Sequence, residues 1–259
     1  MHFTDVQINA LVGSYLWPFL RVGALVSAAP IFGTRFVPFR FKIILALTLT
    51  SIIVPAIPSI DVVPGFSPLG LVTAIQQVVI GLAMGFSLQL VFGAYVLGGQ
   101  VMAMGMGLGF ASMNDPANGV VVPTVGQFYT IMVTLIFLSL DGHLVTIEVL
   151  ADSFRTMPVG PTGLGGENLE KLVLWGSFMY ISALKIALPV ISALLTVNIG
   201  FAIVTRAAPQ LNIFAIGFPV ITTLGFLLML ASLPGIVSEF PNVANSVFEM
   251  LRGLVDGGG

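Results

Sequence analysis

The side chains with the strongest claim to chemistry gather in one short stretch, where His143 stands among Asp141, Glu148 and Asp152. An imidazole beside carboxylates could hold a divalent metal, but catalytic zinc sites place two histidines on one helix face with a glutamate between them. Here Glu148 follows His143 without a second histidine, and the other histidine, His2, lies at the start of the chain. A solvated acidic face is the better reading. Phosphate chemistry has no support either, because no Gly-Lys-Ser or Gly-Lys-Thr occurs. Gly105, Gly107 and Gly109 imitate the opening of a dinucleotide fingerprint, which needs a preceding strand and an acidic residue further on. The chain has no cysteine, so disulfides, thiolate nucleophiles and Cys-ligated metals are excluded. No catalytic, cofactor-binding or metal-binding residue is assigned, and the chain reads as a non-enzyme without a cofactor.

The elements that must position any site are set by hydrophobicity. Hydrophobic residues make up 57% of the 259 and charged ones only 8%, against roughly 25% charged in soluble domains. Residues 43 to 60, 62 to 114, 116 to 140, 186 to 205 and 207 to 238 contain no Asp, Glu, Lys or Arg. Crossing hydrocarbon takes about 20 helical residues. In lipid every backbone amide needs an internal partner, and barrel strands would alternate apolar with polar. These runs are apolar throughout, so the fold class is all-α, a polytopic membrane-type helical protein. With a formal charge of −2 there is no basic field for nucleic acid. The residues before the first apolar run include Asp5 and no Lys or Arg, so that segment is expected to stay in the mature protein.

About six apolar helical segments are expected, at residues 6 to 31, 43 to 57, 69 to 97, 125 to 140, 172 to 204 and 213 to 237. The third spans roughly 43 Å at 1.5 Å per residue, beyond a hydrocarbon core of about 30 Å, so it must tilt, kink or protrude. Prolines and glycines from Pro55 to Pro68 break the chain before it. Residues 141 to 171 are the most polar and read as a loop with a short amphipathic helix at about 144 to 154. The tail at about 240 to 259 reads as a further short amphipathic helix, with Val243, Val247, Met250, Leu251 and Leu254 at helical spacing. Loops on one side hold Arg35, Arg40, Lys42 and Arg206, those on the other Arg155, Lys171 and Arg252. The trio in the first loop leans towards a cytoplasmic loop and an outer N-terminus.

Two charges fall inside apolar segments, Arg21 and Lys185. Such residues are costly and often functional. Without buried carboxylates inside the segments, snorkelling or pairing within an assembly is the better reading than a proton pathway. The sharpest local signal is a tract in which Met102, Met104, Met106 and Met113 alternate with Gly105, Gly107 and Gly109, followed by Phe110. Glycine at every second position disfavours regular helix by about 1 kcal/mol each, while methionine supplies adaptable apolar surface. Two readings stand level: a mobile segment at a lumen or subunit interface, and close glycine-mediated helix packing as at Gly81 and Gly85.

The order of patterns resembles the FliR family of type III secretion export-gate proteins from about residue 16 to 230. Pro30, Gly33, Pro38, Arg40 and Lys42 look like its Pro-x-x-Gly to Pro-x-Arg-x-Lys region, and Gly105 to Phe110 with Asp115 and Pro116 like its glycine-rich Asp-Pro segment. Phe137, His143, Ser153, Phe154 and Pro158 match a later series. The most specific block is Arg206 to Phe214 followed by Gly217, Phe218 and Pro219.

The resemblance implies one export-gate subunit over residues 1 to 259, similar to FliP-like and FliQ-like parts joined in one chain. It implies a flagellar basal body at the bacterial inner membrane, through which unfolded proteins leave the cytoplasm. FliP and FliQ would be its assembly partners, with FlhB, FlhA and proximal rod proteins in contact, unfolded export substrates passing transiently, and lipid at the periphery. The loop at about 104 to 122 would be a plug, with Met104, Met106, Gly107, Gly109, Phe110, Met113 and Asp115 as gate residues. Arg40, Lys42, Arg206, Pro209, Gln210 and Asn212 would contact neighbouring subunits, although Arg206 to Asn212 also reads as a plain polar hairpin held by Pro209. A small-solute transporter is the alternative, with no clear internal repeat to support it.

Overall fold

A computed structural model describes residues 5–34, 37–57, 67–108, 124–207 and 213–256, and all elements below lie within them. Helices follow one another without a strand among the described residues: α1 (Asp5–Ala28), α2 (Phe39–Ile53) with a short 3₁₀ turn (Val54–Ala56), α3 (Pro68–Gly105), α4 (Thr124–Ser139), α5 (Gly142–Thr156), α6 (Gly166–Leu174), α7 (Gly176–Ala207) and α8 (Ile213–Asp256). The all-α, membrane-type expectation therefore holds. Among the described residues, four helical stretches are long and apolar enough to cross a membrane, or five if α4 and α5, bent by 67° at their junction, count as one.

Several boundaries differ from expectation for physical reasons. Helix α3 runs on to Gly105 despite its glycines. Pro219, Pro234 and Pro241 all lie inside α8, so the expected short tail helix is the last part of one 44-residue helix. An interior proline costs about 3 kcal/mol in an isolated helix. In apolar surroundings the alternative is a break with several unpaired amides, which costs more. The polar stretch from 141 to 171 is mostly helical, with α5 and the start of α6 in it, and Val149, Leu150, Phe154, Leu164 and Leu172 are buried. Hydroxyls inside apolar helices turn back on their own helix, as when Thr50 Oγ1 donates to the Ala46 carbonyl at 2.7 Å and Ser87 Oγ to Ala83 at 2.8 Å.

The chain forms two compact units. Unit 1 holds residues 1 to 90, 141 to 176 and 244 to 259, and unit 2 holds 91 to 140 and 177 to 243. In unit 1, α1 and α3 cross in close contact. A Cβ on Gly81 would collide with the Arg21 carbonyl oxygen and one on Gly85 with Ala28 Cβ. Two glycines four apart thus let the backbones meet, the small-residue crossing common among membrane helices. In unit 2 the core includes two aromatic pairs, with Phe92 edge-on to Phe137 at 5.5 Å and Tyr95 tilted against Phe240 at 5.5 Å.

Candidate functional site

The described part of the Gly and Met tract, up to residue 108, lies in unit 2 at the end of α3, and each glycine there has a packing reason. Gly98 faces the Ala183 carbonyl and Ile186 of α7, Gly99 the Tyr129 ring of α4, and Gly105 Leu194 of α7. Dispersion attraction between closely approaching helices offsets the weak helix propensity of glycine. Up to Gly105, close packing is therefore what the glycines do.

The helix then stops in a defined way. Gly107 has φ +80, its N–H donates to the Met104 carbonyl at 3.0 Å, and Leu108 N–H donates to Ala103 at 3.0 Å. This is a Schellman ending, in which a left-handed residue closes the last orphan carbonyls, and glycine takes that conformation without a Cβ clash. The Met106 carbonyl accepts from Thr222 Oγ1 of α8 at 3.1 Å. The Met106 side chain fills the space over Gly225, where a Cβ would collide with its Cγ, and the Phe218 ring lies against Gly107. Phe218, Thr222 and Gly225 thus form a socket for the end of α3.

The methionines divide by direction. Met102 and Met106 are fully buried, with Tyr129 hydroxyl 3.8 Å from Met102 Sδ, whereas Met104 is 61% exposed. Gly109, Phe110, Met113 and Asp115 lie outside the described residues. Sequence reasoning gave no role to Thr222 or Gly225. A threonine and a glycine in an apolar helix carry no local signal, since only the approach of a distant helix end gives them partners.

In unit 1, Arg40 is exposed at the start of α2, while Lys42 Nζ donates to the Gly33 carbonyl at 2.9 Å. Gly33 N–H donates to Ala29 at 2.7 Å, and a Cβ there would strike the Ser27 carbonyl oxygen. The Gly33 and Lys42 spacing therefore closes the α1–α2 turn within this chain. Arg206, in unit 2, is exposed in the last turn of α7, where a cation suits the helix dipole. Pro209, Gln210 and Asn212 lie outside the described residues. Lys185 is exposed on α7, whereas Arg21 is fully buried. Of the acidic cluster, Asp152 pairs with Arg155 at 3.6 Å in the open, and among the described residues no group of three His, Cys, Asp or Glu is placed to hold a metal.

A family model described as bacterial export proteins, family 1, matches residues 12–247. The chain belongs to the FliR family. It is 38% identical over 255 residues to a flagellar biosynthetic protein FliR of Escherichia coli (strain K12), covering 98% of this chain and 97% of the relative. A FliR of Aquifex aeolicus is 32% identical, with 92% of each chain covered, and one of Bacillus subtilis is 27% identical, with 96% and 97% covered. As a FliR-family protein the chain is a component of the flagellar export apparatus, in a structural rather than enzymatic family. Its long apolar helices suit a membrane-associated component of that apparatus.

Proposed function

We propose that this chain is a pore-forming subunit of the flagellar export gate at the bacterial inner membrane, passing unfolded flagellar proteins, with the segment at about 104 to 122 as an apolar plug. The observation that carries the reading is the division of the Met tract. Met106 is seated in the Phe218, Thr222 and Gly225 socket, while Met104, two residues before it, is 61% exposed. A plug needs a fixed base and a compliant surface, and methionine conforms to varied substrates. A dry apolar constriction disfavours hydrated ions, so the plug seals the resting pore until a chain enters.

The flank of α7 supports assembly with other helical subunits. Ile181, Leu184, Leu188, Leu195 and Ile199 are each more than half exposed, a bare apolar stripe of the kind a neighbouring helix or lipid covers. FliP and FliQ are the proposed partners for it, with Arg40, Arg206, Pro209, Gln210 and Asn212 fixing neighbouring helix ends, while Lys42 is taken up by the Gly33 carbonyl of its own chain. FlhB, FlhA and proximal rod proteins are proposed contacts of the assembled gate. Replacing residues 104–110 by a flexible polar linker tests the plug. The expected result is raised ion conductance through the assembled complex with assembly intact, and unchanged conductance would reject the plug. Co-expression with the neighbouring FliP and FliQ homologues tests the assembly: one stable complex is expected, and a lone monomer would overturn the partner assignment.

A further inference from the structure

Arg21 is wholly buried in unit 1 and carries a full set of long-range contacts. Its Nε donates to Gln77 Oε1 of α3 at 2.9 Å. One terminal nitrogen donates to the Ser153 carbonyl at 2.7 Å and to Ser153 Oγ at 3.0 Å, and the other to the Met157 carbonyl at 2.9 Å. The guanidinium also lies over the Phe154 ring, 4.2 Å from its centroid. Among the described residues every one of these partners is uncharged.

The charge is held instead by the end of a helix. Ser153 lies in the last turn of α5 and Met157 is its C-cap residue, so their carbonyls carry the negative end of the α5 dipole. A residue of α1 thereby caps a helix more than a hundred positions away in sequence. The guanidinium is a planar fork with fixed donor directions, so it sets the rotation and height of the α5 end, which the apolar contacts of Val149, Leu150 and Phe154 alone would let slide. After Met157 the chain passes Pro158, Gly160, Pro161, Gly163 and Gly165 before α6, where Gly163 lies against the Gln76 side chain of α3 and Leu164 is buried. The arm is therefore held by apolar contacts along its length and by one charged cap at the end of α5.

We propose that Arg21 is the pin of a releasable arm, residues 141–176, for which this charged cap supplies the directional hold on unit 1. The polar set is incompletely satisfied, since Gln77 Nε2 and Gln76 Oε1 are buried without partners among the described residues. A partly satisfied buried network is less rigid than a complete one, which suits an arm that opens before the rest of its unit.

Site-resolved tryptic cleavage of the full chain in mild detergent tests this without reference to any partner. Arg155 and Lys171 lie on the arm and are exposed, whereas Arg40 and Arg206 lie elsewhere and are also exposed. Cleavage within a helix reports local opening. Arg21→Met is expected to speed cleavage at Arg155 and Lys171 tenfold or more, which is about 1.4 kcal/mol, and to leave Arg40 and Arg206 within twofold. Arg21→Lys, which keeps the charge and loses the fork, should fall between Met and the natural protein. No change at the arm sites, an equal rise at Arg206, or a Lys variant no better than Met would each overturn the proposal. Should Arg21→Met not fold, Gln77→Leu removes the Nε contact together with the unpartnered Gln77 Nε2 and leaves the Ser153 and Met157 contacts. About threefold faster cleavage confined to the arm is expected from it, and unchanged arm cleavage would reject the pin.

Discussion

Gly81 and Gly225 are the same residue type in two regions held by different physics. In unit 1, Gly81 lies against backbone atoms of α1, the Arg21 carbonyl and the Leu25 nitrogen, beside a charged side chain locked by directional hydrogen bonds. In unit 2, Gly225 lies under the side chain of Met106, which has three rotatable bonds, and one threonine hydroxyl completes the contact. Backbone cannot retreat without moving a helix, and a thioether can. The first region keeps one geometry because backbone meets backbone, and the second can adjust by side-chain rotation.

Matched substitutions should erase this contrast if it is false. Gly81→Ala is expected to have the largest effect, about 3 kcal/mol lost from thermal unfolding in detergent, because a methyl there forces α1 away from α3. Gly225→Ala should cost only about 1 kcal/mol, since Met106 can change rotamer. Equal losses would show that the two crossings are alike. A double-mutant cycle of Gly225→Ala with Met106→Leu refines the test. A coupling of about 0.5 kcal/mol or more is expected, because the two residues share one space, and additivity would mean that Met106 is not what Gly225 accommodates.

Smaller changes address the hydrogen bonds of each region. Thr222→Val keeps the shape and removes the donor to Met106, with an expected loss of about 1 kcal/mol, read as faster hydrogen exchange at Gly107 and Leu108. The smallest effect, of opposite sign, is expected at Asp141, whose φ of 54 is left-handed at the entry to α5. Asp141→Gly relieves that strain and should stabilise by about 0.5 kcal/mol, slowing tryptic cleavage at Arg155 where loss of Arg21 speeds it. A destabilised Asp141→Gly would mean that the carboxylate, not the backbone, holds the turn.

Helix class, the apolar segments and the turn positions were legible in the sequence because they rest on composition and on local punctuation. Segment ends were less legible where proline and glycine stood inside helices. Pro241 looks like a boundary, yet α8 continues through it, and Gly98, Gly99 and Gly105 look like a broken segment, yet α3 continues to Gly105. In each case local propensity was outweighed by packing between distant segments. The candidate site was half legible. The Met and Gly tract stands out by spacing, but which methionine anchors and which is exposed depends on where α8 passes.

Residue content and order alone establish an all-helical membrane-type protein of the FliR pattern, because hydrophobicity and motif order need no knowledge of what lies nearby in space. Folding settles that Arg21 caps a helix rather than snorkels, that Lys42 closes a turn within its own chain, and that Met106 is seated while Met104 is exposed. Those outcomes depend on the direction of a side chain and on what comes to meet it, and the partner in each case is brought there by tertiary packing rather than by sequence neighbourhood.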